Sequence, residues 1–462
     1  MAGIGFELQR VLKGGGIGSF VKVALSGIMI VAGPWLLSII GIFLIGRFAG
    51  FALREGRSLF MSVVIYSYAF SLFFFGGSHY IFTRLVSDFM YQEKKRESGS
   101  SLLFFSVIIL LISLAIALVV IKSINIRNIT HPGLFKISAL AFFVLINIIW
   151  LLMIFISLLK RYLTIFFVFV GGMTSSVLGV SILGRFMALG GAMLGFSLGQ
   201  LITVVLLFVL AFRDFKPGHF SKALKDLIIY FPKYKFLFLS GLFYYWGIWI
   251  DKMVFWIGVG QRVPGTFFRL FDFYDIPVYF SNLTMIPGLI YFIVVCETGF
   301  YTHLKEFLLS LSGDTYRSIR EKKYMLTRAM REGLREQSLF QIVLTAFFII
   351  LAPTISRLLF GEAVDSFVLR VVLLAVFFQF LYLTLMTFLF YFELYLQSFL
   401  SSFVFFVVNL AGSLFTVLSR SGNLYGFSYL NAGLAASIAA AVFLFSASKN
   451  IERLIFSRYG AP

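Results

Sequence analysis

The 462-residue chain has one cysteine (Cys296), nine prolines, four histidines, five tryptophans and only 20 acidic residues. A single cysteine rules out an intramolecular disulfide, so cysteine usage says nothing about redox compartment. Four His and one Cys cannot build a convincing zinc site. There is no G-x-x-x-x-G-K-[ST] loop. The Gly14-Gly15-Gly16-Ile17-Gly18 run lacks both a strand before it and the lysine after it, so ATP hydrolysis and a bound nucleotide are not expected. Charged residues make up 13% of the chain, against about 25% in a soluble domain. No arginine-rich periodic helix resembles a voltage sensor. Residues 1–22 are polar to amphipathic, and the apolar run after them is too long for a signal-peptide core, so no cleavable leader is expected.

What is present is hydrocarbon: 60% hydrophobic residues, 60 Phe and a mean hydropathy of +0.97. Twelve long apolar runs carry few or no charges: 23–46, 59–83, 102–121, 137–159, 162–184, 188–212, 236–259, 277–299, 338–360, 371–392, 394–419 and 428–448. About 20 apolar residues span a bilayer core as a helix. The reading is an all-α integral membrane protein of about twelve transmembrane helices, with no room for a soluble catalytic domain. Residues 162–212 cannot form one crossing, because about 50 helical residues would extend some 75 Å. A break is therefore placed at Arg185, beside the Gly184-to-Gly191 stretch.

The linker 213–235 divides the runs six and six, as in transporters built from parallel repeats. The expected organisation is an N-terminal amphipathic segment (1–22), a first six-helix lobe (23–212), the linker, a second six-helix lobe (236–448) and a tail (449–462). With the N-terminus inside, the inner segments hold about twice as many Lys and Arg as the outer ones. This bias predicts that both termini are cytoplasmic. It also explains the net charge of +19 by the positive-inside bias and contact with anionic lipid rather than by nucleic acid. The mixed-charge inner segment 300–337 reads as a pair of surface helices, and 220–231 as a short helix lying in the interface.

Ionisable groups inside a span are costly and mark candidate sites. The seventh run holds Tyr245, Trp249, Asp251, Lys252 and Trp256. Tyr245, Trp249, Lys252 and Trp256 fall within about 60° of one another on a helix, while Asp251 points away. Adjacent residues do not face each other on a helix, so Asp251 and Lys252 are each expected to pair elsewhere. The stripe could be a platform for sugar rings, or an interfacial aromatic belt with Lys252 snorkelling. Asp251 lies about 12 Å inside the end of its run, which is deep for a belt residue. Next come Arg269, Asp272 and Asp275, expected as an Arg–Asp pair at the mouth of a cavity. Pro277 and Pro287 interrupt the eighth run, which ends in Cys296-Glu297; freed carbonyls are tolerated where a cavity is lined. His79 and Arg84 lie near the inner end of the second run, where His79 is either a proton carrier or a hydrogen-bonded structural residue.

Several strings carry a resemblance. These are Met1-Ala2-Gly3-Ile4-Gly5-Phe6-Glu7-Leu8, Gly33-Pro34-Trp35 through Gly41, Trp249-Ile250-Asp251-Lys252, and the segments 269–277 and 297–301. Together they resemble the PelG family, the transport subunits of Pel exopolysaccharide systems, related to the multidrug/oligosaccharidyl-lipid/polysaccharide flippase superfamily. The resemblance implies a flippase-like fold in the inner membrane. It also implies an amino-sugar polymer as substrate, moved from cytoplasm to periplasm or exterior in biofilm matrix production. The implied partners are a cytoplasmic glycosyltransferase and other membrane subunits. It supplies no catalytic residue. A lipid-linked oligosaccharide or small-molecule antiporter of the same fold is the competing expectation. A membrane-embedded enzyme is disfavoured by the short outer loops and the missing nucleophile and metal motifs.

Overall fold

The computed structural model describes residues 50–54, 56–126, 129–157, 162–216, 220–361 and 364–449, with Phe6, Gln9, Gly27, Gly41, Leu44, Ile45 and Ile451. The expected amphipathic N-terminus, nearly all of the first run with Pro34, and the tail lie outside the described residues. The chain divides into two compact units, Gly33–Phe271 and Met1–Ala32 with Asp272–Pro462.

The first unit contains helices α1 (Arg57–Tyr91), α2 (Lys95–Lys122), α3 (Pro132–Ser157), α4 (Tyr162–Asp214), α5 (Phe220–Lys233) and α6 (Lys235–Gly258). It closes with a two-stranded antiparallel hairpin, β1 (Gln261–Arg262) and β2 (Arg269–Leu270), in the register Gln261↔Leu270. Phe60, Phe142 and Phe196 are fully buried at its centre, with ring centroids 5.0–5.5 Å apart.

The 53 residues of α4 are helical throughout except at Met187 (φ −126°, ψ 19°) and Ala188 (φ 44°, ψ −135°), where the backbone reverses. This lies two residues past the break expected at Arg185. Ser176 Oγ donates to Phe196 O (3.1 Å), and Gln200 Nε2 donates to Ser176 Oγ (3.2 Å), so the two halves run back along each other. Gly179 and Gly195 make the approach possible. A Cβ on Gly195 would sit 2.3 Å from Gly179 O, so the helices meet backbone to backbone. In lipid, where burial of apolar area gives helices no preference for one another, such small-residue contacts supply the attraction.

The second unit contains α7 (Asp272–Leu283), α8 (Ile286–Tyr291), a π-helical turn (Phe292–Glu297) and α9 (Thr298–Ser310). It continues with α10 (Tyr316–Ile355), α11 (Ser366–Tyr391), α12 (Tyr395–Leu418) and α13 (Phe427–Lys449). The eighth run is thus interrupted twice. A turn at Thr284-Met285 precedes Pro287, which opens α8 where its missing N–H has no helical partner to lose. The π turn then adds a residue to one helical loop. α10 starts at the N-cap Thr315, whose hydroxyl accepts from Ser318 N. α11 packs on α13, α10 and α7, and its Leu369 and Leu373 form an apolar cluster with Ala352 and Val364.

Among the described residues, nine helical segments are long and apolar enough to cross a bilayer. α6 is long enough at 24 residues but is not one of them. Its polar load, Asp251 and Lys252 among Tyr and Trp, distinguishes it from its neighbours.

Candidate functional site

α6 lies along α1 in the first unit. The sequence makes this seam from complementary shapes. Gly76 and Gly77 of α1 face Tyr245 and Phe238 of α6, and Gly241 of α6 faces Tyr80 of α1. A Cβ on any of the three would fall 2.2–2.7 Å from the opposing residue. Trp246 stacks on Phe73 at 4.9 Å and donates from Nε1 to Phe73 O, and Trp256 stacks on Tyr66 at 4.6 Å. One face of Trp256 is therefore already covered, and the residue is 1% exposed. Tyr245 and Trp256 hold two helices together here, which is the packing role of the aromatic stripe.

The polar centre sits within this packing. Asp251 and Lys252 are 0% and 2% exposed, with Lys252 Nζ 3.2 Å from Asp251 Oδ1 and donating also to Ile248 O at 2.8 Å. This corrects the expectation that the two charges pair separately. Their Cα–Cβ directions do diverge, but four methylenes let the lysine fold back along its own helix turn to the neighbouring carboxylate. Lys252 Nζ also stands 5.8 Å from the Trp249 ring, within reach of its negative face. Neither charge is without a partner in this packing.

Two buried nitrogens nearby have no hydrogen-bond partner among the described residues, His79 Nε2 and Trp249 Nε1, each on a residue 8% exposed. The His79 ring lies 6.3 Å from both Tyr245 and Trp150, and Tyr245 is one helical turn from Trp249. Trp150 Nε1 is already committed to Ser71 Oγ (3.1 Å). The polar and aromatic groups of α1 and α6 thus form one continuous file.

Other expected site residues have separate surroundings. Arg269 Nη1 donates to Ile257 O (2.7 Å), and its backbone exchanges hydrogen bonds with the Tyr66 hydroxyl. Its guanidinium thus closes the hairpin onto α6 in place of the carboxylate pairing expected for it. Asp272 and Asp275 occupy the first turn of α7, favourable for anions at the positive end of a helix; Asp272 is exposed and Asp275 buried. Arg84 lies 3.2 Å from Asp88 and over the Tyr234 ring, while Tyr230 Oη donates to Asp88 Oδ2. Burial and the adjacent Asp88 carboxylate push the Tyr230 phenol above its ordinary range. This cluster ties α5 to the end of α1.

Glu297, at the end of the π turn, is 2% exposed and accepts from Tyr391 Oη. Beside it, Cys296 Sγ donates to Gly333 O across to α10. The polar face that α10 turns to this interrupted helix is not among the residues expected from the sequence. Gln337, Gln341 and Thr345 are all buried, and Gln341 Nε2 donates to Thr284 O (3.4 Å) at the break before α8. Their spacing of four was visible, but uncharged residues raise no alarm in an apolar run. No group of three or more His, Cys, Asp or Glu among the described residues could hold a metal ion.

The fold has known counterparts. The chain is similar to the eukaryotic MATE transporter AtDTX14 (TM-score 0.60, 12% identity, covering 93% of this chain and 97% of that one). It is similar also to a multidrug resistance MATE family transporter of the MOP superfamily in its outward-facing conformation (TM-score 0.56, 13%, 94% and 95%). An inward-facing conformation of such a transporter matches as well (TM-score 0.54, 12%, 100% and 100%). At these identities the likeness shows the fold alone. No curated protein matches the chain. The family model described as "PelG: Putative exopolysaccharide Exporter (EPS-E)" matches residues 1–456. With an all-α membrane fold of the MATE kind and a match over nearly its whole length, this chain belongs to the PelG exopolysaccharide exporter family, a family of transporters and not of enzymes.

Proposed function

We propose that the chain moves an amino-sugar exopolysaccharide from the cytoplasm to the periplasm or exterior. In this reading twelve helices cross the inner membrane with both termini cytoplasmic. The nine apolar segments become twelve when α4 is counted as two crossings about its reversal, and α6 and the run 23–46 are added. The single observation that carries the proposal is the buried Asp251–Lys252 pair beside Trp249 on a helix otherwise built for the membrane. Burying two charges costs several kcal/mol per ion before pairing repays it. A purely structural helix would do as well with apolar side chains.

Asp251, Lys252, Trp249 Nε1 and His79 Nε2 supply donors and acceptors to sugar hydroxyls, and the face of the Trp249 ring packs against the C–H groups of a sugar ring. Tyr245 and Trp256 position α6. The polymer reaches the chain from a cytoplasmic glycosyltransferase working with further membrane subunits. In cells carrying that synthase, Asp251→Asn and Lys252→Ala should each cut secreted polymer at least ten-fold per unit of transporter measured in the membrane. Full secretion from both variants would remove the pair from the transport path. Reconstitution with the glycosyltransferase in sealed vesicles tests direction, since polymer should accumulate only on the side opposite synthesis.

A further inference from the structure

The second unit carries an apolar groove of about 330 Å³ between α10, α11 and α13, bordered by Arg335, Leu385, Leu434, Ile438, Ala441 and Phe445. Among the residues facing it, Arg335 is the one charge, and it is exposed. It is also the last cation before the uncharged stretch 337–356 of the ninth run. Its position therefore marks the level where headgroups meet acyl chains.

The neighbouring acids are occupied elsewhere. Glu332, one turn earlier, is held by Arg328 (2.8 Å), and Glu336 accepts from Tyr291 Oη (3.2 Å). Two other cations of the same helix are engaged, Lys322 with Asp314 and Lys323 with Lys449 O, while Arg317, Arg320 and Arg331, like Arg335, make no ion pair among the described residues but lie outside the groove that Arg335 borders. A guanidinium with no carboxylate partner among the described residues, standing at the edge of a groove with the volume of a small-ligand pocket, matches a phosphodiester whose acyl chain fills that groove. A planar fork of donors suits phosphate. A zwitterionic headgroup would bring its own cation beside Arg335, and an apolar helix from another protein would leave the guanidinium unanswered.

We propose that this groove is a binding site for one anionic phospholipid, its phosphate on Arg335 and one acyl chain between α11 and α13. The site lies within the second unit and is independent of the transport path on α6. The test is native mass spectrometry of the full chain in mild detergent, with phosphatidylglycerol and phosphatidylcholine added in turn.

The wild-type protein should retain one phosphatidylglycerol in preference to phosphatidylcholine. Arg335→Gln should lower that preference about five-fold, as expected for one cation near a lipid phosphate. Ala441→Phe, which fills the groove and leaves the charge in place, should lower retention of both lipids. Arg331→Gln, which removes an exposed cation outside the groove, should change neither.

Three results would overturn the proposal. The first is equal losses from Arg335→Gln and Arg331→Gln, which would mean diffuse surface charge. The second is undiminished binding in Ala441→Phe, which would mean that no chain enters the groove. The third is displacement of the lipid by millimolar inorganic phosphate, which would mean a free-anion site.

Discussion

Asp251 and Lys252 show how far a side chain can depart from its backbone direction. Removing one partner of such a pair leaves the other charge buried, a loss of about 3 kcal/mol or more. Lys252→Gln and Asp251→Asn should therefore each lower the unfolding midpoint of the solubilised protein. The double variant, with no charge left to bury, should recover part of the loss. A double variant as unstable as the sum of the singles would show that the two groups do not act as a pair. That α6 is unusual was legible from the residues alone, because charge in an apolar run is conspicuous. That the lysine folds back on its neighbour was not, since the contact depends on a rotamer chosen by the surrounding packing. The His79 and Trp249 nitrogens, which have no hydrogen-bond partner among the described residues, were equally invisible, because an unmet hydrogen bond is a property of neighbours distant in sequence.

At the scale of elements, two helix pairs depend on glycine at particular places. In α4, Gly195→Ala would put a methyl group 2.3 Å from Gly179 O, and that backbone cannot yield without parting the two halves. The expected cost is about 1–3 kcal/mol. Gly171, in the same helix, has nothing within 4 Å of its would-be Cβ, so Gly171→Ala should stay within about 1 kcal/mol of wild type. Equal effects of the two substitutions in a thermal unfolding assay would contradict the reversed packing of α4.

The start of α10 has an acid-sensitive tether. Asp314 accepts from Lys322 Nζ (2.7 Å) and Ser318 Oγ (2.8 Å), and these bonds hold its carboxyl below the ordinary value. A depressed carboxylate contributes order above its unfolded pKa of about 3.9, and that order is lost as pH falls through the folded value. Amide exchange at 316–322, corrected for intrinsic rates, should rise across that acid window in the wild type. In Asp314→Asn it should already be raised at neutral pH. The break near Arg185 could be placed from the sequence because helix length is limited by bilayer thickness. The π turn at 292–297 could not, because an extra residue in a helical loop leaves the apolar pattern intact.

For the whole molecule, the charge asymmetry predicts an orientation that can be measured. In a Cys296→Ser background, Ser312→Cys in the turn between α9 and α10 should react with an impermeant thiol reagent only from the cytoplasmic side. Asn423→Cys, between α12 and α13, should react only from the opposite side. The reverse pattern would invert the proposed direction of export.

The sequence by itself determined the solvent, the helical class and the family. Long uncharged runs cannot be stable in water, helices satisfy their own backbone in lipid, and the family match draws on nearly the full chain. Tertiary structure decided which of the conspicuous residues do what. It committed Trp256 and Tyr245 to holding α6 on α1, Arg269 to a backbone carbonyl, and Arg84 to an anchor for α5. It also brought the uncharged Gln337, Gln341 and Thr345 to the broken eighth run. Hydropathy records how each residue prefers its solvent, whereas a side chain's role depends on the atoms that packing places within a few ångströms of it.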